Sequence, residues 1–130
     1  MAIDIDNDHD YDVLLGGVSS TDINLLSNGG DSVTAHITAQ QNSFPAANVP
    51  IDLTIFPACF SMDVNNDGFK DLLVTPNAGN SSENFNSVWY YKNVDTSGAY
   101  NLNFQSKSFL QEQMMINRKK RKVFLIIILN

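Results

Sequence analysis

Apolar and polar residues alternate over short stretches of this chain, and no 3.6-residue apolar period persists long enough to predict a helix. Short aliphatic or aromatic runs occupy residues 13–16, 23–28, 72–75 and 88–93, each bounded by Asn, Asp, Gly or Ser. Brief apolar runs between turn-forming residues predict β-strands. Alternation returns at residues 33–39 and 100–109, and the apolar stretch 51–62 leads into the later strands. The pattern predicts an all-β chain with about four short strands per unit of roughly 60 residues.

Two of those runs follow acidic segments of the same design. The first reads Asp4-Ile5-Asp6-Asn7-Asp8-His9-Asp10-Tyr11-Asp12. The second reads Asp63-Val64-Asn65-Asn66-Asp67-Gly68-Phe69-Lys70-Asp71. Asp4 and Asp63 are 59 positions apart, and so are Asp12 and Asp71. The next strand corresponds as well, with Asn28 and Asn93 65 apart, so the second copy carries six extra residues. They belong to the polar stretch 76–84, a surface loop by composition. An internal repeat explains the whole correspondence.

Composition narrows the class. At 130 residues the chain makes one small domain or part of a larger one, and 43% hydrophobic content is ordinary for a globular protein. The single cysteine, Cys59, excludes a disulfide framework and a cysteine-rich zinc site. No apolar run is long enough to span a bilayer. The net charge of −6 is unevenly spread: residues 1–117 hold 14 acids against three bases, while Arg118-Lys119-Lys120-Arg121-Lys122 holds the other five bases. An acidic body argues against a nucleic-acid partner.

The acidic segments carry the chemistry. Carboxylates about 5 Å apart repel by roughly 3 kcal/mol per pair at an effective dielectric of about 20, so several cannot converge without a counter-charge. Calcium supplies one, as a hard cation that accepts six to eight oxygens in irregular geometry. Oxygens at loop positions 1, 3 and 5 wrap one side of such an ion, and a carbonyl at position 7 with a carboxylate at position 9 closes the other. Gly68, at position 6, suits the left-handed turn this needs. His9 holds that position in the first loop, which is therefore expected to be the more strained. An acidic, solvated turn is the competing interpretation, and the repetition of the whole spacing weighs against it. An EF-hand is excluded, because its position 12 falls on Leu15 or Val74 and the flanks predict strands.

Other chemistry is weaker. Cys59 lies in the run Pro57-Ala58-Cys59-Phe60 and is expected to be a buried small hydrophobe, since neither His9 nor His36 has a catalytic motif around it. Repetition also argues against paired glycosidase carboxylates. Trp89, Tyr90 and Tyr91 are expected in a strand core rather than as a sugar-stacking surface. Asn80-Ser81-Ser82 is a formal glycosylation sequon.

The acidic loop followed by Leu72-Leu73-Val74 and then by Val88-Trp89-Tyr90-Tyr91-Lys92-Asn93 resembles FG-GAP-like (VCBS-type) repeats across about residues 2–115. Such repeats build calcium-binding β-propellers in secreted and surface proteins, and integrin α-subunit propellers use related loops. The resemblance implies about two four-stranded antiparallel blades of an incomplete β-propeller. It also implies calcium ligation by the side chains of Asp63, Asn65, Asp67 and Asp71, with the carbonyl of Phe69. In the first loop it implies the side chains of Asp4, Asp6, Asp8 and Asp12, with Asp10 at the carbonyl position. His9 in place of Gly is the departure, and bears on that site's affinity.

The expected division is a first repeat over residues 1–57, a second over 58–115 and a basic, then apolar tail over 116–130. Met1-Ala2-Ile3 runs directly into the first ligand, and two blades do not close a ring. The chain is thus expected to be an internal piece of a longer protein whose neighbouring blades lie elsewhere. A frameshift explains the tail; a nuclear-localisation patch or membrane-surface anchor is the alternative. The expected role is a non-enzymatic, structural-calcium module of an extracellular or cell-surface protein, serving adhesion or recognition of a protein or glycan ligand. The alternatives are an accessory domain of an extracellular enzyme with its catalytic residues outside this chain, and a non-functional gene fragment.

Overall fold

The structure, a computed structural model, describes residues 1–78 and 86–110. It is all-β, with no helix among the described residues. Among the described residues eight strands form two four-stranded antiparallel meanders, open sheets consistent with incomplete propeller blades. The first contains β1 (Ala2–Ile3), β2 (Asp12–Gly16), β3 (Ile23–Asn28) and β4 (Ile37–Gln41), hydrogen-bonded in that order. The second contains β5 (Pro57–Met62), β6 (Asp71–Pro76), β7 (Trp89–Asn93) and β8 (Leu102–Ser106), again in chain order. The expected tail at 116–130, most of the loop at 76–84 and the sequon lie outside the described residues.

Alternation does the work of assembly, because successive strand residues face opposite sides of a sheet. Leu14 of β2 is buried where Leu15 is half-exposed, and Leu72 and Val74 of β6 are buried with Leu73 between them less so. Ile3, Leu14, Ile23 and Leu25 from the first sheet join Leu72, Val74, Trp89, Tyr91 and Leu102 from the second in one core. The connector from 42 to 56 lies between them and adds Phe44, Ile51 and Leu53. Its backbone is tied to the first sheet by Phe44 N donating to Ile23 O at 2.8 Å, and by Leu53 N to Thr21 O at 2.8 Å. Asn48 Nδ2 donates to Leu102 O at 3.0 Å, and the Tyr91 hydroxyl to Val49 O at 2.8 Å, tying the connector to the second sheet. The two sheets therefore share one interior.

Three expectations are refined. A short β1 does precede the first loop, pairing Ala2 with Val13 and Ile3 with Asp12. The alternating stretch 33–39 is not one strand: β4 starts at Ile37, and Val33 is 90% exposed. The reason is a side-chain-built turn. Asp31 Oδ1 accepts the amides of Val33 and Thr34, and Asn28 Oδ1 accepts those of Gly30 and His36, so this backbone bonds locally instead of in the ladder. The stretch 100–109 likewise shortens to β8 at Leu102–Ser106. Trp89 and Tyr91 are core residues, and their rings meet Phe104 edge-on at 5.8 and 5.4 Å between centroids.

Cys59 packs half-buried against the core, and burial pushes its thiol up to about 12. For an acid raised this way, the associated stability is present below the unfolded value and is lost as pH rises through about 12. At pH 8 the thiolate fraction should be roughly a thousandfold below that of the unfolded chain. Disulfide-reagent labelling of the native chain should be correspondingly slow and should become rapid in urea. Equal rates in both states would mean Cys59 is not held in the core.

Candidate metal centre

Each acidic segment is the connection between the first two strands of its sheet: β1 to β2 in one, β5 to β6 in the other. The two connections have the same backbone course. Positions 4 and 6 are left-handed in both, with φ of 65° at Asn7 and 75° at His9, and 60° at Asn66 and 89° at Gly68. His9 thus adopts the conformation expected of the glycine-like position, one that L-residues with a Cβ adopt at a cost.

The side chains repeat most of the match. Asp4 receives the amides of Asp8 at 3.2 Å and His9 at 3.1 Å, as Asp63 receives those of Asp67 at 3.1 Å and Gly68 at 2.9 Å. Asp8 Oδ1 accepts Asp10 N at 3.0 Å, and Asp67 Oδ1 accepts Phe69 N at 2.9 Å. Asn65 Oδ1 also accepts Asp67 N, at 3.1 Å. These inward-drawn amides fold each chain segment back around its position-1 carboxylate. In the first loop, carboxylate oxygens of Asp4, Asp6 and Asp8 all lie within 4.8 Å of one another. The second loop has Asp63, Asn65 and Asp67 at the same positions.

Position 9 has a second duty. Asp12 and Asp71 are the first residues of β2 and β6, and both are almost wholly buried, at 1% and 0% exposure. Asp12 accepts Ile5 N at 3.0 Å through Oδ2 and Asn28 N at 2.8 Å through Oδ1. Asp71 accepts Val64 N at 3.1 Å and Asn93 N at 2.8 Å in the same way, and Tyr90 OH at 3.3 Å. Each carboxylate therefore clamps the start of its loop to the end of the third strand. A carboxylate oxygen has two lone pairs, so these bonds leave acceptor capacity for a cation. Burial, with Asp71 next, raises the Tyr90 hydroxyl to about 12, so it remains a donor at neutral pH.

Two carboxyls of the first loop are pushed toward their neutral form. Desolvation first, then Asp8 and Asp12, raise the Asp6 carboxyl above its ordinary value. Asp10 is raised too, by desolvation and then by Asp8 and Asp12. The residue is only 4% exposed, and its Oδ1 has no hydrogen-bond partner. Among the described residues the one contact of ion-pair length is His9 Nδ1 with Asp4 Oδ2, at 3.9 Å, with the imidazole exposed; it is an ion pair only when that imidazole is protonated. An orphaned buried oxygen among carboxylates fits a hard cation with oxygen ligands, as the donor set itself does.

Several partners in the site were not assigned from the sequence. Asn28 and Asn93 match in the repeat, but their roles emerge only with the sheets: Asn93 Oδ1 accepts Asp95 N and Asn101 N, as Asn28 does for its own turn. The first loop also reaches the second sheet. Asn7 Nδ2 donates to Ser97 O at 3.2 Å, and Tyr100 N donates to Ile5 O at 2.9 Å. An Asn at position 4 of both loops was the available signal.

No family model, curated protein or solved structure matches this chain.

Proposed function

We propose that this chain is a calcium-binding β-propeller repeat module of the FG-GAP-like type, belonging to a secreted or cell-surface protein. The observation that supports it best is that two acidic loops, each at the same place in a four-stranded sheet, share the main-chain bonds to their position-1, position-5 and position-9 carboxylates. Asp4, Asp6, Asp8 and Asp12 would hold one ion with a main-chain oxygen at Asp10, and Asp63, Asn65, Asp67 and Asp71 the other with the carbonyl of Phe69. The ion supplies the positive charge that lets the carboxylates converge.

Its role is structural. Holding the first loop in shape also holds Ile5 and Asn7, which bond to the β7–β8 turn of the second sheet. Calcium in that loop would therefore strengthen the junction between blades as well as the blade itself. The repeated, non-catalytic layout suits adhesion or recognition of a protein or glycan by surface loops, with further blades outside this chain completing the ring.

Calcium titration of the full chain by calorimetry, with far-ultraviolet circular dichroism in parallel, tests the proposal. About two ions should bind. At ten times Kd each site should add about 1.4 kcal/mol to stability, raising Tm by several degrees in a way a chelator reverses. A folded chain that binds no ion at millimolar calcium would overturn the assignment.

A further inference from the structure

The two sheets match residue for residue, yet they bury opposite sides. With offsets of 59 in the second strand and 65 in the third, the pairs Val13–Leu26, Leu14–Leu25 and Leu15–Asn24 become Leu72–Tyr91, Leu73–Tyr90 and Val74–Trp89. In the first sheet the middle pair, Leu14 with Leu25, is buried in the shared interior. In the second sheet the flanking pairs, Leu72 with Tyr91 and Val74 with Trp89, are buried there instead. The interior is thus the front of one sheet against the back of its equivalent. The back of the first sheet and the front of the second remain uncovered, and they are the same two kinds of surface.

Neither has the composition of a wet face. A sheet solvated on one side alternates apolar with polar residues, whereas Val13-Leu14-Leu15 and Leu72-Leu73-Val74 are apolar throughout. Leu15 on the first back, and Phe60 and Met62 on the second front with Leu73, are about half exposed. The connector repeats as well. Phe44 N donates to Ile23 O at 2.8 Å, and Phe44 is buried between the sheets. Exactly 65 positions on from each, Phe109 N donates to Val88 O at 2.9 Å. Phe109 lies on the second front against Tyr90, 4.7 Å between ring centroids, and is only partly buried. The second sheet therefore already carries the aromatic residue that lines the junction in the first.

We propose that the back of the first sheet in one copy of this chain docks on the front of the second sheet in another. Copies would join head to tail through a repeat of their own sheet–sheet junction. A second copy offers each uncovered surface the side that already packs on its equivalent. This rests on the repeat-module reading above, names a source for the further blades, and does not depend on the loops holding calcium. Such a contact is heterologous, and it closes into a ring where the rotation allows. Rings of four to eight blades correspond to about two to four copies. The contact is weaker than the one within the chain, because Asn24 stands on the first back where Trp89 stands on the second. Assembly therefore depends on concentration.

Sedimentation of the full chain in calcium, from micromolar to millimolar concentration, tests this. The wild type should rise in mass by whole chains toward a closed ring. Leu15→Arg blocks the back and Phe60→Arg the front, so each variant alone should lose association while its circular dichroism stays that of the wild type. An equimolar mixture of the two keeps one good back and one good front, and should form a dimer that grows no further. A wild type that stays monomeric at millimolar concentration overturns the proposal, whatever else covers the two faces, and needs no variant to fold. Association of a folded Phe60→Arg or Leu15→Arg chain by itself overturns the head-to-tail pairing, as does a mixture of folded variants that forms no dimer. Two ions bound by a monomer would leave the calcium module standing without the assembly. Assembly by a chain that binds no ion would support the docking and overturn the calcium assignment.

Discussion

Asp71→Ala should lower the unfolding free energy by about 3 kcal/mol, and should do so in chelator as well as in calcium. The side chain is completely buried and accepts Val64 N, Asn93 N and the Tyr90 hydroxyl. Removing it deprives two main-chain donors and one phenol of a charged acceptor. The Asn93 bond is buried, so water cannot replace the lost partner there without opening the sheet. Against a typical total of roughly 5–15 kcal/mol, such a loss is large. Urea denaturation in chelator measures it. If the cost appeared only in calcium, Asp71 would be a ligand without the clamping role assigned here. Asp12→Ala, with its bonds to Ile5 N and Asn28 N, should behave in parallel.

A comparable penalty, about 3 kcal/mol, is expected for Gly16→Ala. A Cβ there would lie 2.3 Å from Pro57 O and 3.1 Å from Ile23 Cδ1. The obstacle is backbone at the start of β5, which cannot swing aside as a side-chain tip can, so the two sheets would have to separate at this corner. Gly68→Ala makes the contrast. Its Cβ would meet nothing within 4 Å, and its cost of about 1 kcal/mol arises only from a φ of +89°. The two variants therefore separate packing from backbone strain. Thermal melts that rank Gly68→Ala as the more damaging would mean that β2 and β5 are not in close contact.

The strands and acidic loops were legible because their signals are local. Period-two runs such as Leu72-Leu73-Val74 bury alternate faces, and the Asp spacing fixes which residues share a nine-residue turn. Left-handed positions were legible at Gly68, and at His9 once the repeat was aligned. Residues 33–36 misled because alternation says nothing about a competing side-chain acceptor: Asn28, up to eight positions away, holds that backbone in a turn. The second duty of Asp12 and Asp71 was equally hidden, since their partners Asn28 and Asn93 lie 16 and 22 residues off.

By its sequence alone this protein was legible as all-β with two acidic loops of one spacing, because strand period and carboxylate density are properties of adjacent residues. Only the tertiary structure decided which carboxylates are also main-chain acceptors, that Asp10 is buried with an oxygen left over, and that the first loop is tied to the neighbouring sheet through Ser97 and Tyr100. Those outcomes depend on which donors arrive from distant strands, and burial and hydrogen-bond satisfaction are set by the assembled sheets.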